Sequence, residues 1–187
     1  MQTVEMPVHQ YTRPAGHPPL VKLLAEQYSG FLNRQIDPMN EVAVTVGASQ
    51  ALYLALSVFS KPGDEVIVFE PFFDLYLKQA KLTGADVKFV KLGGENAPAD
   101  DPWALDIDKL EAAITDKTRV LILNSPHNPT GKVFTLEENQ KIAALMEKYP
   151  NILIFSDEVY KYTIYNPVEA GDEGSIGHTH FARLPGM

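Results

Sequence analysis

"RVLILNSPHNPTGKVF", Arg119 to Phe134, decides the fold. Val120-Leu121-Ile122-Leu123 is a continuous apolar run, too short for a helix and without alternation. That is the pattern of a strand covered on both faces, as in a parallel sheet. It leaves into Asn124 to Phe134, a loop holding two prolines, two asparagines, a histidine and a glycine. A chain does not abandon a buried strand for so constrained a loop unless the loop must hold its polar groups still.

Outward from this stretch the same alternation repeats. Val42 to Val46, Glu65 to Phe69, Val87 to Val90 and Ile152 to Phe155 read as further strands. Ser49 to Phe59, Asp74 to Leu82, Ile107 to Ala113 and Leu136 to Lys148 read as helices between them. The last helix opens with Thr135 as N-cap and Glu138 three residues on, a capping box. Lys61-Pro62-Gly63-Asp64 is a turn, and Gly93 to Pro102 an exposed loop. No internal repeat is visible. Strand–helix alternation predicts an α/β fold, a three-layer α/β/α sandwich with a mainly parallel sheet.

Composition narrows the function classes. The 187 residues are 45% hydrophobic, enough for a real core, and carry a formal charge of −8. That charge argues against nucleic acid as a partner, since such proteins present a basic face. There are no cysteines, hence neither disulfides nor thiolate metal sites. No apolar run reaches the roughly 18 residues of a membrane span, and no signal-like start is visible. A cytoplasmic protein is expected, with a mitochondrial form left open.

In parallel sheets ligands bind beyond the carboxyl ends of the strands. Gly47-Ala48-Ser49 opens a helix there: small residues that would admit a phosphate to backbone N–H groups, or a simple turn capped by Ser49. It is not a dinucleotide fingerprint, and Gly131-Lys132 is not a P-loop, because Pro126 and Val133 stand where glycine and Ser/Thr are required. In Glu70-Pro71-Phe72-Phe73-Asp74 the rings are either core or a stacking surface for a flat ligand. In Ser156-Asp157-Glu158-Val159-Tyr160, Asp157 either faces a protonated ring nitrogen or, with Ser156, caps a helix. His178-Thr179-His180 alternates as paired ligands do, but no third ligand is evident and no metal site is expected. His127 borders a pocket or is a solvated loop residue. Arg13 could contact a substrate or a phosphate, and Tyr162 and Tyr165 read as packing.

"VTVGASQAL", "EPFFDLY", "NSPHNPTGKVF" and "SDEVY", in this order and spacing, resemble the class I pyridoxal-phosphate aminotransferases of fold type I. "HQYTRPAGHPPL", "QIDP" and "FARLPGM" resemble, more narrowly, the kynurenine aminotransferase, glutamine transaminase K and cysteine-conjugate β-lyase group. The resemblance implies pyridoxal 5′-phosphate as cofactor. Gly47, Ala48 and Ser49 would receive its phosphate and Phe73 would stack on its ring. Asn128 and Tyr160 would bond the phenolic oxygen, with Asn124 supporting Asn128. Asp157 would face the pyridine nitrogen, and Asn128 would also hold the substrate carboxylate. Tyr11 would reach the site of a neighbouring subunit, implying a homodimer.

The implied activity moves an amino group from an aromatic or large neutral amino acid, such as kynurenine or glutamine, to a 2-oxo acid, with β-lyase activity beside it. Residues 1–40 would be an N-terminal, dimer-contacting segment and 41–187 part of the cofactor-binding large domain. The family's Schiff-base lysine lies downstream of "LPGM" in relatives, and none of Lys132, Lys148 or Lys161 has its setting, so no catalytic residue is expected in this chain. On that reading the chain is an incomplete large domain, inactive by itself, in which Val42 to Val46 would lack neighbours and the polypeptide would be poorly stable or aggregate. The alternative is a non-catalytic homologue acting by dimerisation with a full-length subunit.

Overall fold

The computed structural model describes residues 10–95, 97–164 and 177–187. Tyr165 lies outside them. The chain divides into two compact units, Met1–Val46 and Gly47–Met187.

In the first unit, helix α1 (Pro18–Leu32) was not anticipated from the sequence. Its start carries proline in the first turn, where the missing N–H costs nothing, and it ends on Asn33 in the left-handed region (φ 50°). Val21 and Ala25 are its buried face. Ser29 Oγ then accepts the Ile36 N–H at 2.9 Å, turning the chain back. Arg34 and Glu41 pair at 2.6 Å, and Arg13 donates to the Met39 carbonyl within this unit.

Val42 to Val46 forms no strand, which corrects the sequence reading. A β-branched run needs a ladder to become a strand. Here Val44 N–H donates instead to the Ala15 carbonyl at 3.0 Å, and Val46 is largely exposed.

The second unit comprises α2 (Gly47–Phe59), β1 (Glu65–Glu70), α3 (Asp74–Leu82), β2 (Asp86–Lys91), α4 (Ile107–Ala113), β3 (Thr118–Asn124), α5 (Leu136–Met146) and β4 (Leu153–Asp157). The strands form one parallel sheet in the order β2-β1-β3-β4. Alternate residues of each strand point to opposite faces. Ile67, Phe69, Leu121 and Leu123 pack on one face with Leu110 of α4 and Ile142 of α5. Val66, Val68, Val120 and Ile122 pack on the other with Leu52 and Leu56 of α2 and Tyr76 and Ala80 of α3. Covering both faces is what made β1 and β3 read as unbroken apolar runs, and each fully buried side chain contributes about 1.5–3 kcal/mol.

Local signals set the element ends. The Thr135–Glu138 capping box is formed, and the same Glu138 carboxylate accepts the Leu105 N–H at 3.1 Å. Lys132, its side chain almost wholly buried, reaches Asp101 at 2.6 Å and Glu138 at 2.9 Å. This ties the loop before α4 to the start of α5. No described helix is long and apolar enough to cross a membrane.

Candidate active site

The ends of β1, β3 and β4 and the start of α2 meet at the carboxyl edge of the sheet, where parallel topology leaves room for a ligand. A cavity of about 170 Å³ lies there, lined by Ala48, Ser49, Leu52, Phe73, Leu75, Tyr76, Asn124, Asn128, Asp157, Val159 and Tyr160. Seven of the nine residues assigned to the site from the sequence therefore share one cavity. Gly47 does not line it. That glycine instead has φ +72° at the first position of α2, a conformation side chains disfavour. Tyr11 belongs to the first unit and is fully exposed.

Asn124 and Asp157 are partners on the last rung of the β3–β4 ladder. Beyond that rung the side chain of Asn124 continues the sheet's bonding. Its Nδ2 donates to the Asp157 carbonyl at 2.9 Å, and its Oδ1 accepts the Asn128 N–H at 2.7 Å. The Ser125 N–H reaches the same Asp157 carbonyl at 3.1 Å. Asn124 is thus a buried brace between the strand and the loop.

The loop closes on itself. His127 N–H donates to the Lys132 carbonyl at 2.8 Å, and Gly131, at φ +75°, donates to the His127 carbonyl at 2.7 Å. His127 Nδ1 and Thr130 Oγ1 are 2.8 Å apart, and Ser125 Oγ accepts the Phe134 N–H at 3.2 Å. His127 is buried, which removes the solvated alternative. Burial, with the Lys132 charge adding to it, pulls its imidazole from 6.5 down to about 4, so it is neutral near pH 7. A second hollow, of about 500 Å³, is lined by this loop and shares Asn128 and Tyr160 with the first.

Asp157 is held by two donors. Tyr76 Oη donates to Oδ2 at 2.7 Å, and the Val159 N–H reaches Oδ1 at 3.2 Å. Burial, and then the Asp157 charge, push the Tyr76 phenol far above its usual range, so it remains a donor. Tyr76 was missed in the sequence because nothing local marks it; it precedes Asp157 by 81 positions and reads as an interior helix residue. Phe73, half-exposed, meets Tyr76 edge-on at 5.7 Å and keeps one face toward the cavity it lines. The helix-cap alternative for Asp157 does not hold, because among the described residues the element that follows it is a 3₁₀ turn, Lys161–Thr163, and not an α-helix.

Glu158 points away from the cavity, toward His178 and His180. Oε2 lies 3.0 Å from His178 Nε2 and 2.5 Å from His180 Nδ1, while Oε1 accepts the Ser156 hydroxyl and the Phe181 N–H. Burial opposes its ionisation, but the bonds and charges of the two histidines outweigh burial and hold the carboxyl far below its usual range. The carboxylate that the His178-Thr179-His180 pattern lacked is thus supplied from 20 positions upstream. Tyr162, read as packing, is mostly exposed and lies under Lys161 Nζ at 5.2 Å.

Comparison with known proteins decides the family. Residues 3–179 match the model of aminotransferase class I and II. The chain belongs to that family. It is 42% identical to the kynurenine–oxoglutarate transaminase of Dictyostelium discoideum, over 96% of this chain and 42% of that protein. It is also 42% identical to kynurenine–oxoglutarate transaminase 3 of Mus musculus, over 96% of this chain and 38% of that protein. The N-succinyldiaminopimelate aminotransferase of Mycobacterium tuberculosis superposes with a TM-score of 0.85 at 34% identity, covering all of this chain and 45% of that one. The chain thus spans about two fifths of the length of the relatives it matches.

Membership of this family implies pyridoxal 5′-phosphate as cofactor. The cavity's donor set fits that group. It offers one carboxylate braced by two donors, a half-exposed aromatic ring, an amide and a phenol, and a helix start built from small residues. Among the described residues no lysine, arginine or histidine lines it, so its one charged group is negative and suits a protonated ring nitrogen.

Proposed function

We propose that this chain supplies the cofactor-binding part of an aminotransferase that moves an amino group from an aromatic or large neutral amino acid, such as kynurenine or glutamine, to a 2-oxo acid. One observation carries the reading: Ala48, Ser49, Phe73, Asn124, Asn128, Asp157 and Tyr160 line a single cavity at the carboxyl edge of the sheet. The names of the two kynurenine–oxoglutarate transaminases support the substrate class. The fold does not choose it, since the diaminopimelate enzyme shares the same architecture.

When bound, pyridoxal phosphate supplies an electron sink for bonds breaking at the amino acid's Cα. The protein's part is to hold that group and its protons. Asp157 keeps a proton on the ring nitrogen, and Tyr76, a permanent donor to Oδ2, fixes the carboxylate's orientation. Phe73 stacks on the ring. Asn128 and Tyr160, which line both hollows, would bond the phenolic oxygen, and Asn128 would also hold the substrate carboxylate. Ala48 and Ser49 leave the start of α2 open to the phosphate, where the helix dipole favours an anion.

Tyr11, an aromatic side chain fully exposed in its own unit, is assigned to the site of a second subunit in a homodimer. β-Elimination from cysteine conjugates would use the same groups.

The test is titration with pyridoxal phosphate, followed by the circular dichroism of the cofactor's own absorption bands. Saturable binding, weakened at least about tenfold by Asp157→Asn, is expected, because that change keeps shape and removes a charge next to a cation. Equal binding by the Asn variant, or none by the unaltered chain, would overturn the assignment. Comparing kynurenine, phenylalanine and glutamine as donors then tests the substrate class separately.

A further inference from the structure

Behind the candidate site, Glu158, His178 and His180 bring three metal-ligating side chains together. One oxygen of Glu158 and one nitrogen of each histidine all lie within 4.8 Å of one another. The side chain of His178 is 1% exposed, that of His180 8% and that of Glu158 14%. These residues are chemically a two-histidine, one-carboxylate set. They come from two stretches of chain, the exit of β4 and the segment leading into the 3₁₀ turn Phe181–Arg183.

A purely ionic clasp does not account for His178. Its Nε2 is 3.0 Å from Glu158 Oε2 but off the line of a hydrogen bond, and its Nδ1 has no partner among the described residues. A buried ring whose Nδ1 is unsatisfied and whose Nε2 meets its only partner off line is costly, about 1–3 kcal/mol for an unmade bond. His180 already holds Glu158 at 2.5 Å through Nδ1, so the clasp does not need the second imidazole. Something that accepts a lone pair from Nε2 would explain why His178 is buried against this carboxylate.

We propose that Glu158, His178 and His180 form a binding site for a divalent transition cation of the zinc class. Ligands about 2.0–2.1 Å from a tetrahedral ion stand roughly 3.3 Å apart. The present separations of 2.5 and 3.0 Å reach that value if Oε2 withdraws by about 0.8 Å from His180 Nδ1 and about 0.3 Å from His178 Nε2, a side-chain adjustment. Imidazole and carboxylate donors suit zinc, nickel or copper(II) better than magnesium or calcium, which prefer oxygen alone. Three protein ligands leave a fourth position for water. The bound ion would lock the 178–183 segment to Glu158 and, through the adjoining peptide, steady Asp157 at the wall of the cofactor cavity. The site rests on this geometry alone and stands whether or not the transamination reading does.

The test uses chelator-treated protein titrated with cobalt(II), whose visible absorption is intense only in low-coordinate sites, followed by displacement with zinc. One equivalent per chain is expected, with binding weakened more than tenfold in His178→Gln and in His180→Gln and unchanged in His17→Gln, an exposed histidine elsewhere. Far-UV circular dichroism establishes that each variant is folded. Zinc should also raise the melting temperature of the unaltered protein and not that of His180→Gln. Absence of the cobalt band, or a band and melting shift that survive both substitutions, would overturn the proposal and leave the cluster an ionic clasp.

Discussion

Tyr76 Oη lies 2.7 Å from Asp157 Oδ2, joining the face of α3 to the end of β4 across 81 residues of sequence. The phenol is buried and stays protonated, so this is a permanent donor to a permanent acceptor. Tyr76→Phe keeps the ring and the packing against Phe73 but leaves one carboxylate oxygen short of a bond. A loss of about 1–3 kcal/mol in stability is expected from chemical denaturation. Pyridoxal phosphate binding should weaken several-fold, because the carboxylate gains rotational freedom. A variant that binds the cofactor as tightly as the unaltered chain would remove Tyr76 from the positioning of Asp157.

This pair also shows where sequence reading stops. β1, β3 and α5 were legible because burial on both faces and the Thr135–Glu138 capping box write themselves into short windows. So was the loop Asn124 to Phe134, whose prolines and asparagines announce fixed polar groups. Long-range pairings leave no such trace: Tyr76 looks like any interior helix residue, and Glu158 lies 22 positions before His180, the histidine it bonds. Val42 to Val46 failed for the complementary reason, since its composition satisfies strand propensity while a ladder depends on what lies beside it. Helix α1 had readable signals, proline in the first turn and a left-handed Asn33, but His17 offers no side-chain cap to mark the start.

Asn124 carries two bonds that hold the loop to the sheet, at 2.9 Å to the Asp157 carbonyl and 2.7 Å from the Asn128 N–H. Asn124→Leu is close in size and cannot make either. The Asp157 carbonyl keeps the Ser125 N–H, but the Asn128 N–H is left without its acceptor, so a cost of about 1–3 kcal/mol is expected. Hydrogen exchange should show the Asn128 amide losing protection before those of β3. Unchanged protection there would mean that the prolines alone hold the loop.

Two glycines with positive φ separate backbone strain from lack of space. Gly93 (φ +68°) has the Pro102 carbonyl oxygen where a Cβ would sit, whereas Gly131 (φ +75°) has open space there. Gly131→Ala should cost about 1 kcal/mol, the penalty for a side chain in the left-handed region. Gly93→Ala adds a clash with backbone that cannot rotate away, and should cost about 3 kcal/mol or more. Comparable denaturation midpoints for the two variants would refute the contact at Gly93.

His127 makes stability depend on pH in a stated window. Its imidazole is neutral in the folded protein down to about pH 4, because burial and the Lys132 charge disfavour the cation, while in the unfolded chain it titrates near 6.5. The unfolded state therefore takes up the proton first as pH falls. The contribution is fully present above about 6.5, declines between 6.5 and 4, and is constant below 4. After allowance for solvent screening at the loop, the decline should be about 1–2 kcal/mol. Carboxylates titrate in the lower part of the same window, so the measurable quantity is the stability of the unaltered protein minus that of His127→Gln. Because glutamine does not titrate, this difference should shrink as pH is lowered from neutral toward 4. A difference independent of pH would show that His127 gains its proton as readily in the folded loop as in the unfolded chain, and that Lys132 and burial do not restrain it.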